Sequence, residues 1–221
     1  EKAFDIVEIL RDHGTVSPTE IADRGDYPIS TIHSYLTTLE RRGYVLNLDG
    51  GYRLSGRFVH LGDSVKYQRD IYRAGEPILR ELSEQTGESI NLLIEEYGMG
   101  IYLESMTADT GFQNYSYVRR REYLHSTAAG KAILSVLPDE RVEAIVDEHG
   151  LEPQTENTIT DDRALEAELE RVKQRGVAFN DEENTPGLRA VGAPIRVGEA
   201  EVAAVSISAP ISRLKGERFE E

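Results

Sequence analysis

Apolar positions along the chain repeat with helical spacing in its first part and with strand spacing further on. From Lys2 to His13, Phe4, Ile6, Val7, Ile9 and Leu10 fall on one wide stripe of a helix that Gly14 ends. Ser17-Pro18-Thr19-Glu20 opens a second, short helix. Ser17 caps it, Pro18 suits the first helical position, and Glu20 stands where a capping-box acid returns to the cap. Ile21 and Ala22 form its buried side, and Gly25-Asp26-Tyr27-Pro28 breaks it. Ser30 then reads as the cap of a helix from Thr31 to Arg42, in which Ile32, Leu36 and Leu39 face a core. Thr31, Ser34, Tyr35 and Thr38 lie on its other faces, and Arg41-Arg42-Gly43 closes it. Tyr44-Val45-Leu46 and Tyr52-Arg53-Leu54 flank Asp49-Gly50-Gly51, a strong hairpin signal. This order is that of a winged helix–turn–helix, whose last helix enters a major groove while the hairpin lies against the backbone.

Arg57 to Arg69 reads as a connecting helix, with Val65 and Tyr67 packing on either domain or on another subunit. Ile71 to Thr86 is amphipathic, with Ile78, Leu79 and Leu82 buried, and Pro77 either starts or kinks it. Ile90, Leu92 and Ile94 alternate in a strand over Ser89–Glu95, Ile101 to Met106 returns, and Asn114 to Arg119 makes a third strand. Small residues from Leu124 to Leu134 open a helix that Pro138 ends. Two more helices follow, Asp139–His149 and Asp161–Arg175, the latter capped by Thr160. A short strand over Val177–Asn180 precedes a hairpin of Arg189–Val197 and Glu201–Ser208 across Gly198-Glu199-Ala200, and Ile211–Glu221 forms a terminal helix. The expected organisation is a winged helix–turn–helix domain over residues 1–56, a linker helix over 57–69, and an α+β domain over 70–221. In the last, a mainly antiparallel sheet is flanked by helices. That arrangement suits a small-molecule sensor.

Composition changes this picture in two ways. The 221 residues carry 40 acids against 25 bases, a net charge of −15, which argues at first against DNA. Lysine stands only at positions 2, 66, 131, 173 and 215, so arginine supplies most of the base. Many acids with few lysines suggest a cytoplasm of molar salt, as in halophilic archaea, where charge repulsion is screened within about 3 Å. The charge is also uneven. Between Ile29 and Arg57, Arg41, Arg42, Arg53 and Arg57 outnumber Glu40 and Asp49. Counterion release contributes little at high salt, so contacts by Ser, Thr, Tyr and His carry more of the binding. There is no cysteine, hence no disulfide framework and no thiolate metal site. No apolar run reaches membrane-spanning length and no signal peptide is visible, so a soluble cytoplasmic protein is expected.

Together these residues resemble the IclR family of transcriptional regulators. In the first part the resemblance rests on Ser30-Thr31-Ile32-His33, Leu36, Leu39-Glu40-Arg41-Arg42-Gly43-Tyr44-Val45 and Tyr52-Arg53-Leu54. In the second it rests on Leu124-His125-Ser126-Thr127-Ala128-Ala129-Gly130-Lys131-Ala132, Thr158-Ile159-Thr160, Gly176, Asp181-Glu182-Glu183, Gly187 and Ala193-Pro194. It implies a winged-helix DNA-binding domain, a linker helix and a GAF-like effector-binding domain. It also implies homodimers or tetramers with paired winged domains, and small metabolites, often organic acids or aromatics, as effectors. The chain departs from the family at Ser34, often Arg, at Tyr35, often Leu, and at Asp26-Tyr27-Pro28, where the family has Gly-Leu-Pro. No operator sequence can be borrowed across these changes.

Two sets of candidate residues follow. At the DNA, Ser30, Thr31, Ser34 and Tyr35 are expected at base edges and His33 at a base or phosphate. Arg41, Arg42 and Arg53 are expected at phosphates, which position without reading sequence. At the effector, free amides of a helix starting in Ser126-Thr127-Ala128-Ala129-Gly130 suit a carboxylate. The alternative for Ala128, Ala129 and Gly130 is close helix–sheet packing. The resemblance places the pocket there and on facing strands, at Asn180 or Asp181, Leu188, Ala190, Ser206 and Ser208. Alternation puts the two serines on one strand face. Lys131 reads as a structural charge partner. Enzyme readings are weaker. Residues 125–132 lack the glycine and Ser/Thr of a phosphate loop, Ala128 occupies the serine position of a Ser-x-x-Lys pair, and the five histidines lack metal spacing. The expectation is a metabolite-controlled, sequence-specific DNA-binding regulator without cofactor or metal. The competing readings are a metabolite-binding protein, or a hydrolase on the C-terminal domain, with the N-terminal domain serving assembly.

Overall fold

A computed structural model of the protein describes residues 1–107, 121–197 and 201–214, which fall into two units, Glu1–Gln68 and Arg69–Glu221. The first unit packs helices α1 (Lys2–His13), α2 (Pro18–Gly25) and α3 (Ile29–Arg41) with a hairpin of β1 (Val45–Leu48) and β2 (Gly51–Leu54). The apolar stripes meet as the spacing requires: Ile6, Leu10, Val16, Ile21, Ile32, Leu36 and Val45 are buried together. The capping box forms. The Glu20 amide donates to the Ser17 hydroxyl at 3.3 Å, and the Ser17 amide donates back to the Glu20 carboxylate at 3.1 Å. Val16 and Tyr52 exchange backbone hydrogen bonds, which tie the hairpin to the helices.

The cap of α3 differs from expectation. The helix begins at Ile29 with Pro28 in the cap position, and Ser30 lies inside the first turn. The Pro28 carbonyl accepts from the Thr31 and Ile32 amides. Proline's fixed φ serves this entry, leaving the Ser30 side chain with no capping role. Helix α4 (Arg57–Tyr67) buries none of its residues. It is anchored at its start, where the Arg57 guanidinium stacks 4.8 Å from the Tyr44 ring centre and donates to the Arg42 carbonyl.

The second unit has one antiparallel sheet in the order β5-β4-β3-β8-β7-β6. Its strands are β3 (Ser89–Glu96), β4 (Met99–Thr107), β5 (Glu122–Tyr123), β6 (Ala178–Asp181), β7 (Leu188–Val197) and β8 (Glu201–Pro210). Helix α5 (Asp70–Thr86) packs on one face, with Ile71, Tyr72 and Leu79 against Ile90, Leu92, Ile94 and Ala203. Helices α6 (Ala128–Leu134), α7 (Asp139–His149) and α8 (Asp162–Arg175) share a core with the other face, where Leu93, Ala178 and Ala204 lie.

Three details depart from the sequence reading. Ile78 is 58% exposed, because the buried stripe of α5 is centred on Ile71, Tyr72, Leu79 and Ser83 and Ile78 falls off its edge. The helix runs unbroken through Pro77. Asp161 rather than Thr160 caps α8, its carboxylate accepting from the Ala164 amide at 3.0 Å; an anion there also meets the positive end of the helix. The strand expected over residues 114–119, the turn over 198–200 and residues 215–221 of the expected terminal helix lie outside the described residues. Of that helix, Ile211–Arg213 form a turn.

Candidate nucleic-acid and effector sites

Burying Ile32 and Leu36 turns the opposite side of α3 outward. Ser30, His33, Ser34 and Tyr35 are exposed and Thr31 is half-buried. The Thr37 and Thr38 hydroxyls donate back to the carbonyls of His33 and Ser34, so they are held by their own helix. Arg41, Arg42 and Arg53 are exposed, and Thr38, Arg41 and Arg42 line a shared recess. Of the other arginines, Arg69, Arg80, Arg141, Arg175 and Arg189 each meet a carboxylate, while Arg57 and Arg196 donate to backbone carbonyls and Arg24 meets His13. Arg41, Arg42 and Arg53 have no acidic partner among the described residues. In a chain with 40 acids, that leaves uncompensated base beside an exposed helix face.

In the second unit, Thr127 caps α6, its hydroxyl accepting from the Gly130 amide at 2.9 Å. The small residues serve close approach. A Cβ on Gly130 would stand 2.2 Å from the Leu124 carbonyl oxygen, and one on Gly192 of β7 would stand 2.7 Å from the Ala128 carbonyl carbon. Ala128 and Ala129 are buried in the same contact. Their amides, at the first turn, have no hydrogen-bond partner among the described residues. Ser126 is fully buried and committed. Its hydroxyl donates to the Tyr123 carbonyl and accepts from Asn184 Nδ2, and its carbonyl accepts from Asn180 Nδ2 at 2.5 Å.

Strand register sorts the facing residues. Ala190 pairs with both Asn180 and Ser208, and Gly192 pairs with Ser206, so these side chains and Leu188 share the face that α6 covers. Asp181 pairs with Arg189 on the other face. It is exposed there and accepts from the Arg189 guanidinium at 2.6 Å. Of the two alternatives, Asn180 faces α6 and Asp181 does not, since adjacent residues of a strand point to opposite sides.

Lys131 is 1% exposed and donates to both Glu183 carboxylate oxygens at 2.6 Å, the charge-partner role its sequence context suggests. Burial pushes the Glu183 carboxyl up from the usual carboxylate range, against the pull of the ammonium. Thr155 and Thr158 donate to the Glu182 and Glu183 carbonyls, fixing the loop before β7. Burial also holds the His125 imidazole below its ordinary pKa, with Nε2 3.2 Å from the Glu152 carbonyl.

Comparison with known proteins assigns both units. A family profile described as "IclR helix-turn-helix domain" matches residues 1–48, and one described as "Bacterial transcriptional regulator IclR C-terminal" matches residues 64–221. The chain belongs to the IclR family of transcriptional regulators. It is 35% identical over 223 residues to the probable HTH-type transcriptional regulator ArcR of Halobacterium salinarum, covering 98% of this chain and 84% of that protein. It is 31% identical over 218 residues to the transcriptional repressor IclR of Escherichia coli, covering 96% and 80%. The crystal structure of the Thermotoga maritima IclR superposes with a TM-score of 0.83 at 32% identity, over 99% of this chain and 90% of that one. As an IclR-type regulator the chain has a DNA-binding helix–turn–helix and a C-terminal effector domain. Among the described residues, no helix is long and apolar enough to cross a membrane.

Several residues of this IclR effector domain escaped the sequence reading. Asn184 bridges the Ser126 hydroxyl and the Glu122 carboxylate, 62 positions away. Ser89, Asn91, Ser105 and Thr107 lie on the same sheet face as Ser206 and Ser208. The signal was present in β3, where Ser89 and Asn91 alternate with Ile90 and Leu92. It resembled an ordinary strand with one wet side.

Proposed function

We propose that this regulator reads duplex DNA with Ser30, Thr31, His33, Ser34 and Tyr35, holds phosphates with Arg41, Arg42 and Arg53, and answers to a small metabolite bound between α6 and the sheet. The observation that carries the reading is the exposed face of α3, with Arg41 and Arg42 at its end and Arg53 on β2 all lacking an acidic partner among the described residues, in a chain of net charge −15. On the effector side, support comes from the uncapped amides of Ala128 and Ala129 and from Asn180, Leu188, Ala190, Ser206 and Ser208 on the face beneath them. Ser126 and Thr127 fix this corner, Gly130 lets it close, and an organic acid suits the amides. The working form is a homodimer or tetramer. Phe4, Val59, Val65 and Tyr67 are each more than half exposed, and a second copy would cover such side chains. The role is non-enzymatic and cytoplasmic, and the acidic composition suits molar potassium salt.

A gel shift against DNA from upstream of the chain's own gene, in molar potassium chloride, tests the interface. Ser34→Ala is expected to change the preferred sequence with little loss on random DNA. Arg53→Ala is expected to weaken all sequences alike and lower the salt slope by about one. Equal losses on cognate and random DNA for Ser34→Ala would remove that residue from base reading. For the effector pocket, Ala129→Phe is expected to abolish the response and spare DNA binding; an unchanged response would refute the pocket.

A further inference from the structure

The face of α3 turned to solvent lacks the side chains that most often single out a base. Ser30, Ser34, Thr37, Thr38 and Arg41 follow one another at steps of three and four residues, and all five are exposed. The pairings that select a base by two hydrogen bonds come from arginine or lysine on guanine and from asparagine or glutamine on adenine. None of these four residue types stands in α3 before Arg41, which belongs to its last turn. The serines cannot take over that task, because a hydroxyl both donates and accepts and so tolerates every base.

The two threonines have a different group to offer. The Thr37 hydroxyl donates to the His33 carbonyl at 2.8 Å, and the Thr38 hydroxyl donates to the Ser34 carbonyl at 3.0 Å. Each side chain carries one hydroxyl and one methyl on Cβ, so a hydroxyl turned back on the helix leaves the methyl as the outward group. Two methyls therefore stand on successive residues, one turn along from Ser34. Methyl groups exposed to water gain by meeting apolar surface. In the major groove one base offers such surface, thymine with its C5 methyl, whereas guanine, adenine and cytosine present hydrogen-bonding groups there.

We infer that this chain reads thymine C5 methyl groups in the major groove through the methyls of Thr37 and Thr38. The inference rests on the proposed role of α3 as the groove helix and adds two specificity-determining residues with the base they select. Phosphate contacts by Arg41, Arg42 and Arg53 hold the helix in place but are blind to sequence, and the back-bonded hydroxyls keep the methyls aimed. An apolar contact is not screened by salt, so it serves where counterion release adds little. That suits a chain of net charge −15.

Selection of the full chain's preferred duplex from a random pool, at one fixed potassium chloride concentration, supplies the DNA for the test. Uracil then replaces thymine at one position at a time. That removes the methyl and leaves the hydrogen-bonding groups intact, and fluorescence anisotropy measures each affinity. One or more uracil positions are expected to weaken binding about fourfold each, the worth of one buried methyl group. Thr37→Ser and Thr38→Ser keep the hydroxyl and drop the methyl, so each is expected to abolish the uracil effect at the position it faces. Thr37→Val and Thr38→Val keep a methyl without the hydroxyl and are expected to retain the effect. All four substitutions lie at exposed positions, and an unchanged thermal midpoint confirms folding; where a valine variant unfolds, the serine variant decides. The inference is overturned if no uracil substitution weakens binding, or if the effect survives in Thr37→Ser/Thr38→Ser, which would assign it to DNA shape. Loss of the effect in the valine variants but not in the serine ones also overturns it, since the hydroxyls would then be reading bases. A pool that enriches no sequence overturns the groove-helix role itself and this inference with it. An enriched duplex that responds to Ser34→Ala but not to uracil overturns the inference alone.

Discussion

Replacing Lys131 by Met isolates the buried ion pair of the effector domain. Methionine fills similar volume but leaves Glu183 without the ammonium that donates to both its oxygens. Breaking a buried pair by removing one partner costs about 3–5 kcal/mol when the remaining charge stays ionised. Glu183 has a second option, to take up a proton. From an ordinary glutamate pKa of about 4.3, protonation at pH 7 costs about 3.7 kcal/mol, and at pH 5 about 1 kcal/mol. Protonation therefore caps the penalty, and the cap falls by about 2.7 kcal/mol between the two pH values. Lys131→Met is expected to destabilise the second unit by roughly 3–4 kcal/mol at pH 7 and by far less at pH 5. Urea unfolding followed by circular dichroism at both pH values, at constant potassium chloride, measures this. The double variant Lys131→Met/Glu183→Leu removes both charges and is expected to recover the parent's stability or exceed it. A single variant within about 1 kcal/mol of the parent at pH 7, or a double variant as unstable as the single, would refute the reasoning.

Three further outcomes follow from the geometry. Gly192→Ala places a methyl 2.7 Å from the Ala128 backbone and is expected to cost about 1–3 kcal/mol in the second unit, read by urea unfolding. Because burial lowers the His125 pKa, the unfolded chain takes up that proton first. Stability is full above about pH 6.5 and falls below it, and His125→Gln flattens the decline in thermal midpoints measured on either side. Ser17→Ala removes the capping box of α2 and is expected to cost about 0.5–2 kcal/mol in the first unit, seen in its thermal transition.

The first unit was largely legible in the sequence because its signals are local. A cap, a proline and an acid within four residues set the start of α2, and Asp49-Gly50 turns a hairpin whatever lies beyond. Local signals fail where two neighbours can do the same work. Ser30 follows a proline that already supplies the first acceptor, and Thr160 precedes an aspartate that caps more strongly. The proposed effector site was half legible. Its small-residue helix start and the paired serines of β8 stand out along the chain, and Lys131 invites a partner. That the partner is Glu183, 52 positions away, is a property of the assembled sheet. The polar side of β3 was hidden for a different reason. Alternation reports that two faces differ, but it does not say whether the polar one meets water or a second layer of helices.

The two units complete themselves at different moments of synthesis. Everything the DNA-reading half needs has left the ribosome once Gln68 has emerged, and its contacts join neighbouring elements. The effector half waits, because β3 sits between β4 and β8, and Asn91 meets Ser208 across 117 intervening steps of chain. Until β8 arrives, the central strand β3 has one open edge and β7 lacks the neighbour that joins it to the rest of the sheet. A nascent or truncated chain ending before that strand would carry a finished reading head with no means of sensing. Loss of the last strand is thus a change of regulation before it is a loss of DNA binding.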